Sequence, residues 1–459
     1  MNEQNTIRQR AVIVIGAGLT GLTTAHFLRL KQRDVEVLEQ TPRIGGQIRT
    51  HTEEGFTFES GPNTGVISYP EVAELFTSLL PHCQLETACK ASACRLIWKG
   101  KQFHALPSGV FSGLFTPLFT LSDKWRILGE PWRPIGTNPD ESVGDLARRR
   151  LGNSFVDYAV DPFISGVYAG DPDRLITRYA LPKLYQLEQH HGSFIRGALA
   201  KRKEPKSKRD RLATKKVFSA RGGLSNLTDT LGSIIGHDRI TLNAQHVTVQ
   251  PQGRGWRVGY QQHGSTHLIE CDTVITTVGA YALPSLLPFV AEEAMRKLSN
   301  LRYAPVMQVS VGLRQMHGME YLAFGGLVPA CERQKVLGIL FPSSCFEQRA
   351  PEGGALFSYF IGGMRNAELM QMSDEEVAAL VEESLHTMLY YPAAAKPDLV
   401  RIFRHTQAIP QYELSSGERL ATIEGLQQQY PGLVIAGNLR GGIGMADRIR
   451  QATELGRRY

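Results

Sequence analysis

The sequence predicts an α/β fold joined to an inserted α+β region, on three observations. The chain both opens and closes with a strand, a glycine-rich turn and a helix; strands near its middle repeat the apolar pattern of those ends; and the stretches between mix strands with helices. At the start, Val12 to Ile15 is an apolar run short enough for one buried parallel strand. Gly16, Gly18 and Gly21 follow in the G-x-G-x-x-G spacing of a Rossmann-like dinucleotide-binding turn. The first glycine makes the tight turn, the second lets backbone approach a pyrophosphate, and the third lets helix and strand pack closely. Leu19 and Thr20 fall in the first turn of the helix, whose free N–H groups and positive dipole end favour a diphosphate. Val35, Val37 and Leu38 form the next strand, which ends at Glu39, 18 residues after Gly21. A carboxylate there, with Gln40 beside it, can accept hydrogen bonds from an adenosine ribose.

Residues 39–50 read EQTPRIGGQIRT and place Arg43, Gly45, Gly46, Gln47 and Arg49 directly after that acid. A glycine pair lets backbone pass close to a bulky ligand, and two arginines can neutralise phosphate charge. An ordinary glycine turn with two solvated arginines is the alternative. The stretch 55–65, GFTFESGPNTG, is a strand running into a turn that carries Gly61, Pro62, Asn63 and Thr64. RLIWKGKQFHALP (95–107) is a hairpin across Lys99–Gly100. Phe111, Leu114, Phe115, Leu118, Phe119, Leu121 and Trp125 then recur at helical spacing, interrupted by Pro117. Burial among neighbouring helices and an interfacial helix dipping into a membrane are the two readings of that pattern. Residues 141–200 are expected to be helical, broken by a glycine-rich loop at 163–175. SARGGLSNLTDTL (219–231) begins a helix after a glycine turn, and 240–250 and 273–280 supply strands returning to the nucleotide domain. Val306 to Ile361 is mainly strand, a helix follows at 374–389, and 432–456 is again strand, glycine turn and helix, the helix starting near Ile443. Val434 and Ile435 form that strand, and Gly437, Asn438, Gly441 and Gly442 its turn. First and last segments therefore share one domain, with the rest inserted between them.

Composition narrows the class further. A hydrophobic fraction of 42% is that of a globular chain, and 459 residues suffice for two or three domains. No run of 18 or more apolar residues exists, and MNEQNTIRQR has no apolar core, so neither an ordinary spanning helix nor a signal peptide is expected. The six cysteines form no C-x-x-C pair, so no zinc site or dithiol redox motif is expected, no metal is assigned, and reduced thiols in a cytosol-facing compartment are the plain reading. The net charge of +7 resides in residues 201–216, KRKEPKSKRDRLATKK, with nine basic and two acidic residues, while the remainder carries 42 of each sign. A solvated mobile loop, attraction to anionic lipid headgroups and steering of an acidic ligand all fit such a block. Nucleic acid does not, because no aromatic residues are interleaved.

Seven motifs, GGQIRT, FESGPNT, PFISGVYAGDP, KLYQLEQHHGS, SSCFEQRAPEGG, QAIPQY and AGNLRGGIGMAD, resemble those of protoporphyrinogen oxidases, a branch of the monoamine oxidase-like FAD enzymes, in family order over nearly the whole chain. The resemblance implies a Rossmann-like FAD-binding domain (1–80, 213–285 and 425–459), an inserted mixed-sheet substrate-binding domain (81–105, 176–212 and 286–424) and a helical membrane-docking domain (106–175). It implies aromatisation of a porphyrinogen in three two-electron steps, with oxygen or another acceptor reoxidising the flavin. A cytoplasmic location, peripheral on the inner face of the cytoplasmic membrane, and a homodimer accompany that reading.

By the same resemblance, Glu39 holds the adenosine ribose, Gly16, Gly18 and Gly21 cradle the pyrophosphate, and Arg43, Gly45, Gly46 and Arg49 line the cofactor. Val247 lies in the strand whose backbone meets the adenine, and Gly437, Asn438, Gly442, Ile443, Gly444 and Met445 bring the last helix to the flavin. Phe346 stacks on a pyrrole ring, Leu327 sandwiches the macrocycle, and Gly170 lines the cavity with its backbone. Departures are Gln47 in place of the wider superfamily's arginine, Arg404 or His405 where tryptophan is usual, Gly279 where proline is common, and Cys94 where some members carry a carboxylate-binding arginine. Arg95 is the neighbouring candidate for that last role. No residue is assigned to catalysis, because the flavin accepts the hydride. Coproporphyrinogen III oxidation, flavin amine oxidation and a non-catalytic flavin-binding scaffold are the alternatives.

Overall fold

The computed structural model describes residues 7–107 and 115–459. Its first sheet runs in the order Ile240–Thr241, Val35–Leu38, Arg8–Ile15, Ser265–Thr276, Gly255–Gln262, Gln245–Gln252, and Leu433–Ile435 also pairs with Ser265–Thr276. The strands around Arg8–Ile15 are parallel, as expected of strands joined through helices. Arg8–Ile15 extends four residues before the expected Val12 because Arg8 and Arg10 pair, at 3.0 and 2.9 Å, with the fully buried carboxylate of Glu36 on the next strand. Helices Leu19–Leu30, Ser225–Ile235 and Met445–Arg458 bury their apolar faces on one side of this sheet. The two terminal helices meet where Gly456 lets backbone approach Phe27, since a Cβ there would stand 2.5 Å from the Phe27 Cβ.

The second sheet runs Leu399–Pro410, Tyr303–Leu313, Ala355–Gly362, Val336–Leu340, Gly325–Leu327, Arg95–Lys99, Gln102–Ala105. Helix Asp374–Met388 packs against it with Val377, Val381, Leu385 and Met388. A three-stranded sheet joins Gly65–Val66 and Leu85–Thr87 to Val217–Ala220. The boundary drawn at residue 81 therefore cuts through this small sheet. Helices between Leu121 and Lys203 form a further layer around Arg150, which is fully buried between Glu130 and Glu188. No described helix is long and apolar enough to cross a membrane.

Three local expectations are corrected. The loop expected at 163–175 is helical as far as Tyr168, in helix Asp161–Tyr168, and the chain leaves it at Ala169, whose φ is +46°. Gly166 serves packing there and not turning, because a Cβ would lie 2.3 Å from Leu327 Cδ2. Over the described residues 115–125 the aromatic stretch does not form one helical side. Phe111 and Leu114 lie outside the described residues, Leu118 and Phe119 are buried, and helix Leu121–Leu128 starts only after Pro117 with a Thr120–Asp123 capping box. The last helix begins at Met445 and not Ile443, after Gly442 (φ +103°) and Gly444 have turned the chain.

Candidate active site

The two terminal glycine turns leave the same end of one sheet. Ile15 pairs in register with Thr276, and Thr276 with Ile435, so the three strands end side by side. Thr277 then lies between the turns: a Cβ on Gly16 would come 2.8 Å from its Oγ1, and one on Gly437 2.8 Å from its carbonyl oxygen. Crevices at the carboxyl ends of parallel strands are where ligands settle in such sheets.

The first turn is closed by backbone. Gly45 N–H donates to Ala17 O at 2.8 Å, and Gly18 and Gly45 form a parallel bridge. A Cβ on Gly21 would lie 1.9 Å from Gly16 O, and one on Gly61 would lie 1.9 Å from Gln47 O. Gly18, by contrast, has only the Cα of Gly46 near its missing side chain, at 3.9 Å. Leu19 and Thr20 are buried in the first turn of a helix whose N-terminus no side chain caps. Its N–H groups are left for a ligand. Glu39, at the end of Val35–Leu38, accepts from Ala17 N–H at 2.8 Å and from Thr41 N–H and Oγ1 at 2.9 and 2.8 Å, while Gln40 beside it is exposed. A carboxylate has about four acceptor positions, so one stays open to a ribose hydroxyl.

Arg43 reaches inward, donating to the carbonyls of Ile44, Gly46 and Ile48 at 3.1, 2.7 and 3.2 Å, so it braces the glycine pair. Its guanidinium titrates below the ordinary arginine range, chiefly through burial and then through the Arg49 charge. Arg49 is exposed and remains available to a phosphate. Gln47 reaches the carbonyls of Gln407 and Ala408 at 3.3 and 3.4 Å. Asn63 donates to Gly61 O at 3.0 Å and accepts from Ser358 Oγ at 2.9 Å, joining the Gly61–Thr64 turn, with Pro62 half-buried in it, to the second sheet. His405 reinforces that join through Ser60 O at 2.6 Å. Glu59, buried just before this turn, holds Leu224 N–H at 2.9 Å and Thr50 Oγ1 at 2.8 Å, and burial raises its pKa. Val247 is half-buried where the pairing of Gln245–Gln252 shifts register, so its backbone is turned out of the regular ladder.

Side chains that sequence reasoning did not single out hold the second turn. Buried Tyr412 carries its hydroxyl to Asn438 O and Gly442 O at 2.8 and 3.0 Å, and burial raises its pKa. Arg448 donates to Gly437 O, to Arg440 O at 2.8 Å and to Gln451 Oε1 at 3.0 Å, while Gln451 Oε1 accepts from Gly437 N–H at 2.9 Å. Asp447 accepts from Gly444 N–H at 3.2 Å, and Ile443 is half-buried beside Met445, which is buried. The available signal was the final Gln-Tyr of QAIPQY, a motif visible in the sequence without any role for its tyrosine.

Of the candidate substrate residues, Leu327 and Gly170 flank helix Asp161–Tyr168: Leu327 presses on Gly166 and packs with Ile97, Leu118 and Phe119, and Gly170 follows the helix end, against Gln411. Arg95 pairs with Gly325 as Ile97 does with Leu327, so strand alternation sets Arg95 on the Leu327 face. Its guanidinium lies 5.6 Å from the Phe324 ring centre. Phe346 is buried with the Arg349 guanidinium 5.4 Å from its ring centre, and Arg349 pairs with Glu86 at 3.1 Å.

Residues 19–448 match the family model of flavin containing amine oxidoreductases. The chain belongs to this family. It is an FAD-dependent oxidoreductase. Similar chains include protoporphyrinogen oxidase 1, chloroplastic, of Arabidopsis thaliana, 31% identical over 96% of this chain and 86% of the relative. Coproporphyrinogen III oxidase of Bacillus subtilis (strain 168) is 26% identical, over 96% of each chain. A solved structure from Exiguobacterium sp. 255-15 superposes with a TM-score of 0.80 at 22% identity, covering 98% of both chains, and so shares the fold. The open space at Gly18, the uncapped helix and the unfilled acceptor position on Glu39 fit an FAD extended from Glu39 to the last helix.

Proposed function

We propose that this oxidoreductase converts protoporphyrinogen IX to protoporphyrin IX in tetrapyrrole synthesis. The observation that carries the reading is the similarity to protoporphyrinogen oxidase 1 of Arabidopsis thaliana, 31% identical over 96% of this chain, together with two glycine turns that meet at Thr277. Bound FAD supplies the two-electron acceptor, and the chain's own groups bind and orient. Residues 16–21, Glu39 and Arg49 hold the adenosine diphosphate half, and the turn from Gly437 to Met445 offers N–H groups to the flavin ring. Leu327 and Phe346 supply apolar surface for the macrocycle, Gly170 backbone, and Arg95 a cation for a propionate. Over three two-electron steps the macrocycle loses six hydrogens: three as hydride from bridging carbons, two as protons from pyrrole nitrogens and one as a proton from the fourth bridging carbon; oxygen takes the electrons, two per molecule, and leaves as hydrogen peroxide. The domain partition is kept, except that Leu85–Thr87 goes with the cofactor part.

The helical layer exposes Phe115, Leu121, Trp125, Leu128 and Trp132, with Trp125 74% and Trp132 78% accessible. Apolar groups grouped on a surface favour a partner or a lipid interface. In our reading they rest on the inner face of the cytoplasmic membrane, and the active unit is a homodimer. A second substrate, coproporphyrinogen III, is favoured by the Bacillus subtilis relative. Anaerobic flavin bleaching and porphyrin fluorescence, recorded with both porphyrinogens, test the proposal. Faster bleaching by protoporphyrinogen upholds it, faster bleaching by coproporphyrinogen replaces it with the second reading, and bleaching by neither refutes both.

A further inference from the structure

Four cations from four stretches of chain come together beside the last helix, two of them over the Tyr69 ring. They are Lys183 on helix Pro182–His191, Lys201 on helix Phe194–Lys203, Lys215 just before Val217, and Arg450 on the last helix. The Lys183 ammonium lies 4.2 Å from the Tyr69 ring centre, and the Arg450 guanidinium carbon 4.1 Å. Burial lowers the Lys183 pKa, Asp447 opposes that shift, and Arg450, Lys215 and Lys201 add to it by repulsion. Among the described residues no carboxylate forms an ion pair with Lys183, Lys201 or Lys215. Arg450 reaches only Glu454, at 3.9 Å, and its buried Nε has no hydrogen-bond partner. Asp447, the nearby acid, is already engaged by Gly444 N–H and the Tyr69 hydroxyl.

Arg209, from the same basic block, shows what a merely structural cation does here. It pairs with Glu71 and Glu74, each at 2.5 Å, and ties the block to helix Pro70–Ser78. With Lys215 N–H donating to Ile67 O at 2.9 Å, the block is anchored and Lys215 is tied to the chain two residues before Tyr69. Like charges held together cost free energy that an oxyanion among them removes, and the planar arginine fork suits phosphate. We propose that Lys183, Lys201, Lys215 and Arg450 form a binding site for a phosphate-type oxyanion beside Tyr69. The group arrives on a lipid headgroup or as a soluble phosphate.

The test uses the holoenzyme and inorganic pyrophosphate at constant ionic strength, followed by calorimetry. Saturable binding that weakens about tenfold or more in Lys183→Ala/Arg450→Ala, with flavin absorbance and turnover retained, supports the site. Should that pair fail to fold, Lys201→Glu/Lys215→Glu, at two exposed positions, is expected to weaken binding similarly. No saturable binding to the parent protein, or equal binding to a folded variant, overturns it. Vesicles of phosphatidylcholine with and without phosphatidylglycerol separate the sources. Pyrophosphate that displaces the protein from phosphatidylglycerol supports the site with a lipid phosphate as its occupant. Binding of pyrophosphate that leaves vesicle association unchanged supports it with a soluble one.

Discussion

The turn after Ile15 and the turn after Ile435 leave neighbouring strands of one sheet and face the same crevice, yet they are held by different means. Backbone packing shapes the first, closed by side chains of the same short stretch: Gly21 lies against Gly16 O, Gly45 donates to Ala17 O, Glu39 accepts from Ala17 N–H and Arg43 donates to Gly46 O. Long side chains from elsewhere hold the second, with Tyr412 and Arg448 satisfying carbonyls of a turn that has left the regular ladder. Close packing of backbone demands glycine at fixed spacing, and therefore shows in a sequence. Buried carbonyls demand only some donor, which distant residues of several types can supply.

Four experiments break or sharpen that contrast. The largest effect is expected from Gly21→Val, whose Cβ would lie 1.9 Å from Gly16 O. The helix must then separate from the strand at a cost of about 4 kcal/mol or more, and the protein should purify without flavin absorbance. Arg448→Met keeps the bulk but removes the donors to Gly437 O and Arg440 O. A loss of about 3 kcal/mol in denaturant melts is expected, with the Gly16–Gly21 turn undisturbed.

His26 lies on the helix that follows the first turn. It is 1% exposed, bonded to Ser78 Oγ at 2.9 Å, and burial lowers its pKa from 6.5 to about 4. The unfolded chain therefore takes up this proton first as pH falls. The contribution of His26 is complete above pH 6.5 and declines between 6.5 and about 4, by at most about 3 kcal/mol. His26→Gln should flatten that part of the stability profile, and a profile that stays equally steep contradicts the assignment. Tyr412→Phe is the mildest. Losing one hydroxyl shared by Asn438 O and Gly442 O should cost about 1–2 kcal/mol and weaken FAD binding about tenfold, measured by flavin release.

Other regions repeat the lesson. The strand Val35–Leu38 and its terminal Glu39 were legible because an apolar run and an acid at fixed spacing have few alternatives. The segment 163–168 was misread as loop because Gly166 signals a turn locally, whereas here it admits Leu327 from another sheet. The aromatic residues 115–125 share one periodicity, yet Leu118 and Phe119 are buried while Phe115, Leu121 and Trp125 are exposed. Pro117 and the Thr120 cap decide that division by starting the helix late.

By itself the sequence determined the parallel strands of the first sheet, the glycine positions of both turns and the acid that ends the second strand, since each depends on spacing within a short stretch. Only the tertiary structure decided that Thr277 separates the two turns, that Arg43 braces a loop, that Tyr412 and Arg448 hold the second turn, and that Lys183 and Arg450 meet at Tyr69. Those contacts join residues far apart along the chain, and a partner chosen by proximity in space leaves no periodicity behind it.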